Sequence, residues 1–182
     1  MKRFYVILLP LLLLLAASCT GKQLETTYDK QETNIQKIIE SLTKANADAT
    51  VGYNKGSAVV TTVHGEGESL AENGAVSFYY AGYIVSGSSL SNSSVFATNY
   101  DTFASSIRWN VTDSTAFRIK TVKLDEDELV EGLKNGLVGA KAGDECYVLF
   151  SGKHGFGNKK IGNIPASSAL AYHLWIKSVS NN

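Results

Sequence analysis

The chain has 182 residues, with 17 basic and 17 acidic side chains and apolar types at 44%. That length suits one folded domain with an extension, and that apolar share is enough for a sizeable core. The even charge lacks the basic footprint of a nucleic-acid binder and gives no pull toward an acidic membrane surface.

The first residues, "MKRFYVILLPLLLLLAASC", join two basic side chains to a leucine-rich run and then to small residues ahead of Cys19. This is the order of a secretory leader. The apolar run is shorter than the roughly 20 residues a spanning helix needs, and Pro10 interrupts it. The ending "AASC" resembles a bacterial lipobox, with Ala16 where leucine is commoner. It implies a signal peptide over residues 1–18, lipidation of Cys19 and attachment to a membrane of the cell envelope. An ordinary secretory signal with an incidental cysteine is the plainer alternative. Cys146 is the one other thiol, so lipidation would leave no partner for a disulfide. In "DECYVLF" it reads as a small buried hydrophobe.

Residues 19–55 are expected to form a lipidated tether and a short helix, and residues 56–182 the folded domain. Residues 20–32 are polar, which suits a tether. "TNIQKIIESLTKA" then sets Ile35, Ile38, Ile39 and Leu42 at helical spacing behind Thr33 as N-cap. Its apolar stripe suits packing on its own domain, with a second copy as the alternative. "SAVVTTV" predicts a strand and "HGEGES" a hairpin turn. "GAVSFYYAGYIV" alternates Val76, Phe78 and Tyr80 against Ser77, Tyr79 and Ala81, as a strand with one wet face does. A serine-rich loop follows over residues 86–94, and "TAFRIKTV" is a further strand.

"DEDELVEGLKNGLVG" predicts a helix in which Asp125 and Glu128 form a capping box. Leu129, Val130, Leu133 and Leu137 would be its apolar stripe. "DECYVLF" and "ALAYHLWIKSV" are the last strands, with Leu170, Tyr172, Leu174 and Ile176 on one face and His173 turned to solvent. Several strands around one helix make an α+β domain: an antiparallel β-sheet curled around a central helix, with an N-terminal helical extension.

Familiar catalytic signatures fail on this chain. "HGEGESL" puts Leu70 at the third glycine of a dinucleotide fingerprint. The loop "KHGFGNKKIGNIP" lacks the Gly-Lys-Ser/Thr ending that would hold phosphate and magnesium. His64, His154 and His173 stand far apart without metal-ligand companions, and Cys146 has no neighbouring histidine to activate it. No cofactor or metal is expected.

The order of elements carries the signal. "GLKNGLVGAKAGDECYVLF", "SGKHGFG" and "NIPASSALAYHLWI" together resemble the C-terminal half of the FKBP family of prolyl isomerases. "SFYYAGYIVSG" and "VFATN" are similar to that family's first long strand and its Phe-Asp-Ser-Ser segment. The resemblance covers roughly residues 56–180. It implies a peptide pocket lined by Tyr80, Phe96, Phe117, Leu129, Val130, Leu133, Phe156, Ile164 and Tyr172. For Leu129, Val130 and Leu133 plain core packing explains burial equally well. The four aromatics Tyr80, Phe96, Phe156 and Tyr172 suit a ligand better than filler.

The resemblance has departures. The family's aspartate is Ala97, its pocket-floor tryptophan is Leu133, and its carbonyl-anchoring tyrosine is Phe156. An insertion separates Phe96 from Phe117, and its Asp101 is a candidate replacement carboxylate. What the resemblance implies is a membrane-anchored isomerase that helps exported proteins fold, facing the periplasm from the outer membrane, with proline-containing segments as partners. A peptide-binding module with little catalysis, or a scaffold lipoprotein, are the alternatives.

Overall fold

The computed structural model describes residues 5–109 and 116–181, with side chains from residue 22 onward in the first helix. The expected leader and the Cys19 thiol lie outside the described side chains, as do residues 110–115 of the insertion. The elements are helix α1 (Tyr5–Ala45), strands β1 (Thr50–Asn54), β2 (Ser57–Val63), β3 (Ala75–Val85) and β4 (Val95–Thr98), and helix α2 (Asp101–Ser106). Strand β5 (Lys120–Lys123), helix α3 (Glu131–Leu137), β6 (Glu145–Phe150) and β7 (Ala169–Ser180) complete the chain. The sheet has seven strands, six in the order β1-β2-β6-β7-β3-β4 and β5 paired with β3 off that path, and its ladders are antiparallel. The expected α+β architecture is the one found.

β3 is the spine. One edge pairs with β7 along its whole length, while the other is shared between β5 at Ala75–Phe78 and β4 at Ala81–Tyr83. The fork between them leaves ladder groups that need partners. Buried Asn99 provides them: its Oδ1 accepts from Tyr80 N at 2.6 Å, and its Nδ2 donates to Phe78 O at 3.3 Å and Arg118 O at 2.8 Å. Thr98 Oγ1 donates to Tyr80 O at 2.7 Å.

The sheet has two covered faces. Val76, Phe78, Val148, Phe150, Leu170, Tyr172 and Leu174 form the core with α3. α3 is seated unusually close because Gly132 and Gly136, one turn apart, face the sheet. A Cβ at Gly132 would enter the ring of Phe150, and one at Gly136 would strike Val148. On the opposite face, Ile35, Ile38 and Ile39 of α1 pack on Val60, Ala81, Tyr83, Leu149 and Ala171. Burying each isoleucine contributes about 1.5–3 kcal/mol, which is what holds α1 to its own domain.

Several expectations change here. α1 continues unbroken through residues 20–32, so no flexible tether precedes Thr33. Thr33 sits inside the helix, and its Oγ1 donates back to Asp29 O at 3.0 Å instead of capping. The sheet begins at Thr50, ahead of residue 56. "HGEGES" is no hairpin turn, because β2 pairs with β6 and not with β3. The segment instead runs beside residues 140–144, with Gly65 N donating to Asp144 Oδ1 at 2.7 Å. α3 starts only at Glu131, because the acids ahead of it build a turn after β5: Asp127 Oδ2 accepts from Lys123 N at 2.7 Å. "TAFRIKTV" is extended in a ladder only from Lys120.

His173 is buried, not solvated. Its face of β7 lies under the second layer, where its ring stacks 4.0 Å from Tyr147 and lies 3.9 Å from Trp175. Its Nε2 meets Glu145 Oε1 at 2.8 Å. For the same reason β3 has a wet face only in its first half, and Ala81, Tyr83 and Val85 are buried.

Candidate functional site: an aromatic cup under a glycine-rich loop

Successive same-face positions on β3 bring Phe78 and Tyr80 to one side of the sheet, and β7 adds Tyr172 two strand positions from Leu174. β4 lays Phe96 across Gly82, where any Cβ would enter the phenyl ring. Phe96 then meets Tyr172 edge-on, with ring centroids 5.8 Å apart and planes at 87°. Tyr80 lies 6.1 Å from Tyr172 and 6.3 Å from Phe78. Leu129 and Val130, which precede α3, and Leu133 within it form the opposite wall. Phe156 comes from the loop between β6 and β7. Together they enclose about 220 Å³.

Seven of the nine sequence-selected residues therefore share one cavity: Tyr80, Phe96, Leu129, Val130, Leu133, Phe156 and Tyr172. Two do not. Phe117 is half-buried three residues ahead of β5 and is absent from the wall. Ile164 is buried in the core behind it. Asp101 is exposed at the start of α2, its Oδ1 accepting from Thr102 N at 2.6 Å, so it adds no carboxylate to the cavity. Sequence reasoning missed Phe78, Lys120 and Glu128, which also line it. Phe78 was accessible from the two-residue period of β3; Lys120 opens β5 and Glu128 follows the turn after it, and neither has a local signal. Tyr80 and Tyr172 both have phenols pushed above their ordinary range by burial, Tyr172 further by its neighbour Tyr80.

The loop over the cup is held at both of its roots. Gly132 N at the start of α3 donates to His154 O at 2.8 Å, and His154 Nδ1 lies 3.2 Å from Glu131 Oε1. From the other face of the sheet, Gln31 of α1 spans the loop. Its Oε1 accepts from Gly152 N at 2.8 Å, and its Nε2 donates to Ser167 O at 2.7 Å. Ser167 has φ +57°, a left-handed conformation that costs a non-glycine residue of order 1 kcal/mol. Its N–H donates to Gly157 O at 2.6 Å, so both of its backbone groups are secured.

Among the described residues no cluster of three His, Cys, Asp or Glu side chains is placed to hold a metal ion. Burial, chiefly, pushes the Cys146 thiol up to about 12, so it is no nucleophile at neutral pH. The cavity offers shape, apolar surface and two phenols, with Lys120 and Glu128 exposed to solvent.

Residues 66–177 match the family profile described as FKBP-type peptidyl-prolyl cis-trans isomerase. The chain belongs to this family. Its reaction class is therefore rotation about prolyl peptide bonds, and its substrates are proline-containing peptides. The FKBP fold is seen again in solved relatives. Over 99% of this chain and 73% of the other, FkpA from Escherichia coli is 16% identical with a TM-score of 0.57. A peptidyl-prolyl cis-trans isomerase from Pseudomonas syringae pv. tomato is 16% identical over 83% of this chain and 96% of its own, with a TM-score of 0.52. The three FKBP domains of wheat FKBP73 give 19% identity, 72% and 49% coverage, and a TM-score of 0.54. At such identities the likeness speaks for the fold alone. No curated protein matches in direct sequence comparison.

Proposed function

We propose that the aromatic cup is the peptide site and that the chain is an isomerase lipid-anchored through Cys19, facing the periplasm from an outer membrane and assisting the folding of exported proteins. The observation that carries the site is the convergence of Tyr80, Phe96, Phe156 and Tyr172 on one cavity beneath a doubly anchored loop. The anchor rests on the order of charged, apolar and small residues ahead of Cys19, and the location on the lack of an acidic run after it.

The chemistry needs no acid, base or nucleophile. A planar amide is charge-separated and well solvated, and twisting it meets a barrier of about 18–20 kcal/mol. The twisted amide is less polar, so a wall of phenyl rings and leucines that removes water favours it over the planar ground state. A few-thousand-fold acceleration requires roughly 5 kcal/mol. Slow prolyl isomers limit the folding of many chains, which gives such an enzyme its task.

A second reading has its own observation. Ala97 and Phe156 bring no polar side-chain atom to the cup, which favours a peptide grip with weak turnover. Protease-coupled isomerisation of a Leu-Pro peptide by residues 20–182 separates the two. Acceleration over buffer at micromolar protein supports the enzyme; binding without acceleration supports the grip. For the anchor, radiolabelled palmitate should enter the wild-type chain and not Cys19→Ser, and label in neither would refute lipidation.

A further inference from the structure

A cup that strips water from a prolyl bond also strips it from the carbonyls on either side. A carbonyl taken out of water without a new donor opposes binding, so a donor in the wall favours it. Phe78, Phe96, Leu129, Val130, Leu133 and Phe156 have no polar side-chain atom. Glu128 and Lys120 are exposed to solvent; the carboxylate only accepts, and the ammonium keeps its hydration outside the apolar wall. Among the buried side chains of the wall, that leaves the phenols of Tyr80 and Tyr172 as donors.

Tyr172 is the deeper, 6% exposed, and Tyr80 is half-buried. Neither hydroxyl is bonded to a group among the described residues. Ser151 Oγ is the one buried side-chain oxygen without a partner there, so the Tyr172 oxygen is not sealed in the core and opens to the cavity it lines. Its ring is fixed from three sides: edge-on to Phe96, stacked at 6.0 Å on Phe150, and tilted 6.1 Å from Tyr80. A donor whose ring cannot turn away is oriented before the substrate arrives.

We propose that Tyr172 is a catalytic residue of this cup, donating its hydroxyl to a peptide carbonyl beside the prolyl bond. The assignment rests on the cup being the peptide site. Burial keeps both phenols protonated, and thus donors, across the physiological range.

The test is Tyr172→Phe, which removes one oxygen and keeps the ring between Phe96 and Phe150. Isomerisation rate and affinity for the Leu-Pro peptide are measured beside urea denaturation. The expected result is a loss of about three- to tenfold in kcat/KM, the size of one neutral hydrogen bond, with the denaturation midpoint unchanged. Where wild type binds without turnover, the same loss is expected in affinity. Unchanged activity and affinity in Tyr172→Phe overturn the assignment while leaving the cup as the peptide site. A loss matched by a lower denaturation midpoint overturns it too, making the hydroxyl structural. Wild type that neither turns over nor binds the peptide removes the peptide site itself.

Discussion

Gln31 of α1 holds Gly152 and Ser167, the two roots of the loop that carries Phe156, in one pair of hydrogen bonds at 2.8 and 2.7 Å. The helix therefore does more than cover the sheet: it reaches around and fixes the lid of the cup from behind. Gln31→Ala should remove both bonds, costing about 1–3 kcal/mol at two neutral hydrogen bonds. Amide exchange at Gly152 should accelerate and kcat/KM should fall, while α1 stays docked through Ile35, Ile38 and Ile39. Unchanged exchange at Gly152 would mean that the clamp contributes nothing.

The close seating of α3 makes a prediction with a contested sign. Alanine is a better helix former than glycine by about 1 kcal/mol. At Gly132, however, the new methyl would enter the ring of fully buried Phe150, and overpacking a core costs about 1–3 kcal/mol. Packing should win, so Gly132→Ala should destabilise, by up to about 2 kcal/mol in urea denaturation. Stabilisation by this change would show that α3 stands further from β6 than described.

His173 sets a pH dependence. Burial lowers its pKa, outweighing the attraction of Glu145, whose own carboxyl is lowered first by its hydrogen bond to His173. Below the ordinary histidine value near 6.5 the unfolded imidazole takes a proton that the folded one refuses. Stability is then full above about pH 6.5 and declines as pH falls. Glu145 acts in the same direction further down, because a lowered carboxylate loses its contribution as acid approaches its folded pKa. Denaturation midpoints at pH 7.5 and 5.5 should differ in wild type, and His173→Phe should shrink that difference. An equal difference in the variant would remove His173 as its source.

Cys146 is a built-in reporter. It is 2% exposed, and its thiol is raised to about 12, first by burial and then by Asp144 and Glu145. In a Cys19→Ser chain, a thiol reagent at pH 8 should label Cys146 only through unfolding, with a rate that rises with urea as the protein opens. Labelling within seconds in native buffer would place the thiol at the surface.

The strands and the cup were legible to different degrees in the sequence. β3 and β7 declared themselves because alternation in "SFYY" and "LAYHLW" survives folding. Phe96 and Phe156 came together only through likeness to a known order of elements, since nothing local ties a residue of β4 to a loop after β6. His173 was misplaced because alternation says which residues share a face and not whether that face meets water; α1 and α2 cover it. The start of α3 was misplaced because Asp125 and Glu128 have the spacing of a capping box, yet the acids there build a turn in which Asp127 takes the Lys123 amide. The role of Gln31 had no signal at all: a polar residue on a helix looks the same whether it meets water or a distant loop.

The stretch matched by the family profile, residues 66–177, omits the whole of α1 along with β1 and β2. A worker who trimmed the gene to that stretch would strip the isoleucine roof from Leu149 and Ala171 and bare one flank of β6. The staple across the loop would be lost in the same cut. The family profile thus stops short of Gln31, the side chain that ties the loop over the cup to the rest of the fold.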